Sequence, residues 1–347
     1  MHTNGNVQFD NSRKPIIDDR MFEEFRKIRA RVWFEATGKK SENQSKFKEM
    51  VAELSDKANL SYWRTNAPEV RSEIWEQVVE KIFYSGFDAS KVNARLNSIR
   101  GQFGDYKSLC SPDWEVRIKN RRISDDSGPL ARAYGADDGL EGKIRHAYKI
   151  RKIVRVGRYF NNYFDSNREA SALSIILQGN DSEDVWVVSG NLDDIGLSGR
   201  LTQLHLLMDL GFDCIKPDIV ISRLVLSLGW LAHFAPELPT DLKEADLRGE
   251  GKYRVKYHYT NDVVIMPIVN LAREFASRMQ QGRKILEEDI GWVSSNPIRE
   301  FDVFMVSYGQ RADPTVGIER QLWSGNSTTV ASRGCASMAR QVGGKQG

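Results

Sequence analysis

Apolar residues recur every three or four positions along most of this chain, which is the spacing of a helix that buries one face. The clearest early example runs from Met21 to about Ala58, where Phe22, Val32 and Trp33 fall on one side. The pattern predicts helical structure over that whole stretch.

Similar stripes predict further helices from Arg71, over 143–158, twice within 184–211, directly after Asp218, and over 264–279 and 298–310. Polar stretches at 59–70, 104–142 and 236–262 are predicted as loops and connectors. Alternating strand patterns are few, so the predicted class is all-α.

The organisation follows from the same pattern. We predict an N-terminal arm and helical extension over 1–65, with a flexible arm over 1–18, and a helical core over 66–320. The small polar residues of 321–347 predict a disordered tail. Apolar residues make up 40% of the 347, enough to form a sizeable core.

Composition excludes several classes. The formal net charge is only +3, so any affinity for nucleic acid must come from local clusters. Three scattered cysteines argue against a disulfide framework, and the five histidines lack metal-ligand spacing, so no metal site is expected. No secretory leader or membrane span is evident, and a cytoplasmic location is expected.

A glycine-bounded turn, Gly196-Leu197-Ser198-Gly199, separates the two helical patterns of 184–211. Such a turn exposes backbone N–H groups at the start of the second helix, where the helix dipole also favours a phosphate oxygen. Taken alone, the turn is equally typical of any helical protein.

About twenty residues later, Lys216-Pro217-Asp218 precedes another helix, so Asp218 is predicted at a helix N-cap. An aspartate there is common for structural reasons. A hairpin, a helix and a proline–aspartate pair in this order are much less common together.

These residues resemble the helix-hairpin-helix/Gly-Pro-Asp motif of base-excision DNA glycosylases, although Gly199 shifts the second hairpin glycine by one position. The resemblance implies a two-lobed helical fold acting as a monomer on double-stranded DNA that contains a modified base. It makes Asp218 the catalytic carboxylate and requires no cofactor, while allowing a monovalent cation at the hairpin. DNA-binding residues carried over from it are Gly196, Ser198, Gly199, Arg200 and Arg223.

Arg200 decides the subclass that the resemblance implies. Family members that also cleave the strand carry a lysine at this position, whose amine forms a Schiff base with the sugar. A guanidinium is effectively always protonated and cannot act as that nucleophile. The protein is therefore expected to be monofunctional and to leave an abasic site.

The predicted helix 143–158 carries seven Lys or Arg residues and no Asp or Glu. Lys149 and Lys152 share one face with Arg145, which predicts a stripe that contacts phosphates. A solvated helix face is the alternative interpretation.

Four aromatic residues and one aspartate near two predicted loops are candidates for the base pocket or for the wedge that fills the space left by an extruded base. For Tyr62 and Trp63, anchoring a loop to the core is the alternative role. The candidates are Tyr62, Trp63, Tyr84, Phe87 and Asp88.

The substrate stays open between two classes. Small residues beside the wedge, Ser85 and Gly86, together with the irregular segment 104–142, favour a bulky base such as the glucosylated hydroxymethylcytosine of phage DNA, and hence antiviral defence. Repair of alkylated purines is the alternative. A non-catalytic DNA-binding protein with this hairpin, or a helical protein-interaction module, are the remaining hypotheses.

Overall fold

The computed structural model describes residues 17–38, 40–57, 60–65, 71–84, 152–158, 185–194, 197 and 199–310. These ranges contain helices and connecting turns and no strand, so the predicted all-α class is confirmed for them. The helices are α1 (Asp19–Thr37), α2 (Ser41–Lys57), α3 (Leu60–Thr65), α4 (Arg71–Tyr84), α5 (152–158), α6 (Val185–Asp194), α7 (Arg200–Leu210), α8 (Ile219–Ser227), α9 (Trp230–Phe234), α10 (Glu244–Leu247), α11 (Asp262–Gln281), α12 (Arg283–Ile290) and α13 (Pro297–Gly309).

The prediction of continuous helical structure over 21–58 was wrong at one point. Asp18 caps the start of α1, and Gly38 ends it in the left-handed conformation, so two helices stand where one pattern was seen. The predicted loop over 59–70 was also wrong in part, because Leu60–Thr65 forms α3. The 236–262 connector likewise contains the short helix α10.

Helix α13 lies at the centre of the fold and packs against α1, α2, α8 and α11. Ten of its thirteen residues are buried, including Arg299 and Glu300, whose charges are paired with residues of other helices. Helix α8, which carries the candidate active site at its start, is therefore held against the most buried element of the described structure.

Aromatic rings join the first helix to the last ones. The ring of Phe25 on α1 lies 5.3 Å from both Phe275 on α11 and Phe301 on α13, and those two rings are 5.0 Å apart. Such tilted and stacked pairs add to the gain from burial alone. The predicted extension over 1–65 thus contributes α1 to the same hydrophobic core as the C-terminal helices.

A fully buried ion pair reinforces that junction. Arg29 on α1 donates from Nε to Glu300 on α13 at 2.6 Å, and both side chains are completely buried. Arg29 also donates to the carbonyls of Leu286 and Trp292, and Glu300 accepts from the Ser294 N–H. Because the hydrogen-bonding groups of both ions have partners, the cost of burying the two charges is offset.

Several predictions fall outside the described residues, namely most of the N-terminal arm (1–16), the irregular segment 104–142 and the tail 321–347. Among the helices that are described, none combines the length and the apolar character needed to cross a membrane.

Candidate active site

The hairpin predicted near residue 196 lies between α6 and α7, which pack against each other. Leu197 occupies the turn, its side chain is completely buried, and its N–H donates to the carbonyl of Leu192 at 2.9 Å. The turn is therefore anchored by an apolar side chain that points into the core.

Gln203, a buried residue on α7, stabilises the same turn through hydrogen bonds. Its Nε2 donates to the Leu197 carbonyl at 2.8 Å and to Asp193 at 2.6 Å, while Ser189 on α6 donates to its Oε1. Sequence analysis missed this residue. A glutamine one turn inside an otherwise apolar helix face was the available signal.

Gly199 caps the start of α7 with φ of +104°, a conformation that L side chains rarely adopt. Its carbonyl accepts from the N–H groups of Thr202 and Gln203 at 2.9 and 3.1 Å. The N–H groups of Arg200 and Leu201 have no acceptor among the described residues. They are the donors that a helix N-terminus offers to an anion.

Lys152 on α5 lies at this helix start. Its ammonium nitrogen is 3.9 Å from where a Cβ on Gly199 would be. Burial lowers the pKa of Lys152, and the carboxylate of Asp193 opposes that shift only in part. The structure therefore brings the described end of the predicted basic helix, 152–158, next to the hairpin, with a partly buried cation beside a positive helix end.

Arg200, the first residue of α7, is engaged in internal contacts. It donates to Ser189 on α6 and to Gln203 at 3.1 Å, and it pairs with Asp262 on α11 at 3.1 Å. Its guanidinium also lies over the ring of Trp186. These contacts fix α7 against α6 and α11.

Asp218 caps α8, as predicted. Its Oδ1 accepts from the N–H groups of Val220 and Ile221 at 2.9 and 3.2 Å. Its Oδ2 accepts no hydrogen bond from the described residues, and the side chain is half-buried. The carboxylate is thus held in one orientation while one oxygen stays available.

The charge of Asp218 affects the pKa of two further residues. Burial and the Asp218 carboxylate raise the pKa of Tyr259, which lies near the end of the segment that joins α10 to α11. Burial raises the pKa of Asp302 on α13 to about 6, Arg299 opposes that shift, and the carboxylates of Asp218 and Asp209 add to it. Neither residue was expected, because both are distant in sequence from the motif.

A buried charge cluster lies behind this region. Asp209 at the end of α7 pairs with Lys81 on α4 and, at 2.8 Å, with Arg299 on α13. Burial alone would raise the pKa of Asp209, but the charges of Lys81, His205 and Arg299 hold it well below its usual range. The cluster joins the helices that carry the hairpin and the central core.

Arg223, predicted to bind DNA, donates to the Gly309 carbonyl at 2.6 Å and so ties α8 to the end of α13. It also borders a groove of about 370 Å³ between α8, α9 and the segment 238–244, which Asp218 does not line.

The aromatic pair on α3 divides into two roles. Trp63 is buried, which agrees with the anchoring alternative, whereas the side chain of Tyr62 is 43% exposed. Other predicted positions lie outside the residues whose side chains are described: Gly196, Ser198, Lys149, Tyr84, Phe87 and Asp88.

Comparisons of the chain with protein-family models, with curated proteins and with solved structures give no match.

Proposed function

We propose that the chain is a monofunctional DNA glycosylase in which Asp218 is the catalytic carboxylate. The observation that carries this proposal is the hydrogen bonding of the Asp218 side chain. Two backbone N–H groups hold Oδ1, and Oδ2 has no partner among the described residues. An N-cap aspartate with one oxygen left over can both keep its helix and act on a bound nucleotide.

The chemistry is hydrolysis of an N-glycosidic bond. The bond between C1′ and the base nitrogen breaks with its electron pair leaving on the base, and positive charge develops on the sugar. A fixed carboxylate stabilises that charge and accepts a proton from the water whose oxygen bonds to C1′. The base takes up one proton, and the products are a free base and an abasic site.

Such chemistry requires that the target nucleotide leave the base stack, because the bond is unreachable inside a duplex. The protein must then bind the DNA backbone without reading the base sequence. The free N–H groups at the start of α7, with Lys152 beside them, suit a backbone phosphate.

The monofunctional class is supported by Arg200. Its guanidinium cannot form a Schiff base, and its contacts with Ser189 and Asp262 hold it within the protein. Water is accordingly the proposed nucleophile.

For the substrate we propose a bulky modified base, with the glucosylated hydroxymethylcytosine of phage DNA as the leading example and antiviral defence as the role. Support comes from sequence, in the small Ser85 and Gly86 beside the expected wedge. Alkylated purines are the competing substrates.

The test is to incubate the purified protein with glucosylated phage DNA, with alkylated plasmid DNA and with unmodified DNA, and to count abasic sites. The proposal expects release from glucosylated DNA and none from unmodified DNA, with Asp218→Asn as the inactive control. Release from alkylated DNA alone would refute the defence role and retain the glycosylase. DNA binding without release from any substrate would identify a non-catalytic binding protein.

A further inference from the structure

The segment 248–260, which joins α10 to α11 and is called here the basic loop, is dominated by positive charge. Four of its five charged side chains are cations, and two of the four, Arg248 and Lys252, are paired with acidic residues just before the loop. Arg254 and Lys256 are exposed, and neither forms an ion pair within the part of the chain that is described. Between them, Val255 is 83% exposed.

Hydrogen bonds from two neighbouring side chains hold the loop in one conformation. The buried carboxylate of Asp246 accepts from the Tyr253 N–H at 2.6 Å. Asn261 donates from Nδ2 to the carbonyls of Val255 and Lys256 at 2.8 and 3.0 Å. A surface fixed in this way loses little conformational entropy when it binds a partner.

The position of the loop relates it to the candidate active site. Asp262 lies two residues after the loop and pairs with Arg200 at 3.1 Å, at the start of the hairpin helix α7. At the same end of the loop, Tyr259 lies close enough to Asp218 to sense its charge. The loop therefore ends beside both the hairpin and the catalytic carboxylate of the proposed enzyme.

Aromatic rings alternate with these cations. Lys252 lies 4.6 Å from the ring centre of Tyr253, and Lys256 lies 5.0 Å from that of Tyr257. Because the Tyr257 ring is buried, it anchors the loop while Arg254 and Lys256 stay exposed. Exposed cations clustered on one face are typical of a surface that binds a nucleic-acid backbone. An exposed apolar residue between two cations also suits contact with the sugar edge of a groove.

We propose that the basic loop is a second duplex-DNA contact surface, in which Arg254 and Lys256 bind backbone phosphates other than the one held at the hairpin. The identity of the partner as DNA rests on the proposed function. The hairpin would hold one phosphate beside Asp218, and the loop would hold a separate stretch of backbone.

The experiment measures binding to a duplex of about 25 base pairs over a series of salt concentrations. Arg254→Gln/Lys256→Gln is compared with Arg283→Gln/Lys284→Gln, an exposed basic pair at the start of α12. Loss of two phosphate contacts should flatten the slope of log K against log salt by about 1.8 and weaken binding at least about tenfold near 0.1 M salt. The control pair should leave both quantities unchanged.

Equal slopes for the loop variant and the unaltered protein would overturn the inference, as would a lack of salt-dependent duplex binding by the unaltered protein. Loss of binding to an acidic polypeptide with DNA binding unchanged would assign the loop to a protein partner and also overturn it. Base release is measured separately on the same samples. If no substrate releases a base but the slope flattens, the proposed enzyme activity fails and the DNA surface stands.

Discussion

The ammonium nitrogen of Lys152 lies 3.9 Å from the point where a Cβ on Gly199 would project. The predicted basic helix and the predicted hairpin turn, 47 residues apart in the chain, thus meet at the first turn of α7. An anion placed there would contact free backbone N–H groups and a cation at once.

Gly199→Val is expected to weaken duplex binding for all sequences alike. The new side chain would be strained at φ of +104° and would face Thr202 and Lys152 where a phosphate must approach. Binding is measured by fluorescence anisotropy with two unrelated duplexes. Gly291→Val, at φ of +70° with open space around it, controls for strain alone and should bind as the unaltered protein does.

Lys152→Gln is expected to lower DNA affinity and to reduce the salt slope by about 0.9, as for one lost phosphate contact. The matched control is Lys284→Gln, which removes an exposed cation far along the chain. A slope equal to that of the control would assign Lys152 to a structural role.

Asp218→Asn is expected to reduce base release at least about a hundredfold, because the amide lacks the charge that stabilises the sugar cation. The asparagine can still cap α8, so the free energy of unfolding should change by less than about 1 kcal/mol. Asp18→Asn provides the control, since Asp18 caps α1 in the same way by accepting from the Met21 N–H at 2.7 Å. Comparable loss of activity in both variants would make Asp218 a structural cap only.

The product is expected to be an intact strand with an abasic site, because Arg200 cannot form a Schiff base. Denaturing gels should show breaks only after alkali or an added abasic-site endonuclease. Borohydride should trap no covalent protein–DNA adduct, whereas a lysine-bearing bifunctional glycosylase in parallel should be trapped. A trapped adduct would contradict the assignment.

Asp302→Asn is expected to change how stability depends on pH. Burial raises the pKa of Asp302 to about 6 from 3.8, so the folded state binds the proton more tightly than the unfolded state does. That contribution to stability is present at low pH and is lost as pH rises from about 4 through 6. Between pH 4 and 7.5 the unaltered protein should lose about 2 kcal/mol relative to the variant, measured by urea unfolding. Parallel pH profiles would show that Asp302 does not titrate in this range.

Helices with a clear apolar stripe were predictable from the sequence. The two helices of the hairpin, the cap at Asp218 and helices α11 and α13 all lie close to where their patterns place them. The break at Gly38 was not predictable, because Trp33 and Phe47 lie on either side of it and continue the apolar pattern. Their ring centres lie 5.6 Å apart across the turn. Periodicity records which residues are buried, not whether one helix or two bury them.

The surroundings of the candidate site were less predictable. Tyr259 and Asp302 approach Asp218 only because α8 packs against both α11 and α13. These approaches depend on tertiary packing between segments far apart in sequence, so no local spacing of residues predicts them. The polar pattern over 236–262 predicted only a connector, although the alternating cations and aromatic rings of the basic loop are evident in the sequence.

The ion pair of Arg29 and Glu300 joins residues separated by 271 positions. During synthesis at 5–20 residues per second, α1 would emerge roughly 15–55 seconds before its buried partner. Until then Phe25 lacks its contact with Phe301, and the face of α1 that packs against α13 stays exposed to other chains. The nascent protein should therefore depend on chaperones late in translation, and ribosome-bound chains that stop before α13 should be far more sensitive to protease than released ones.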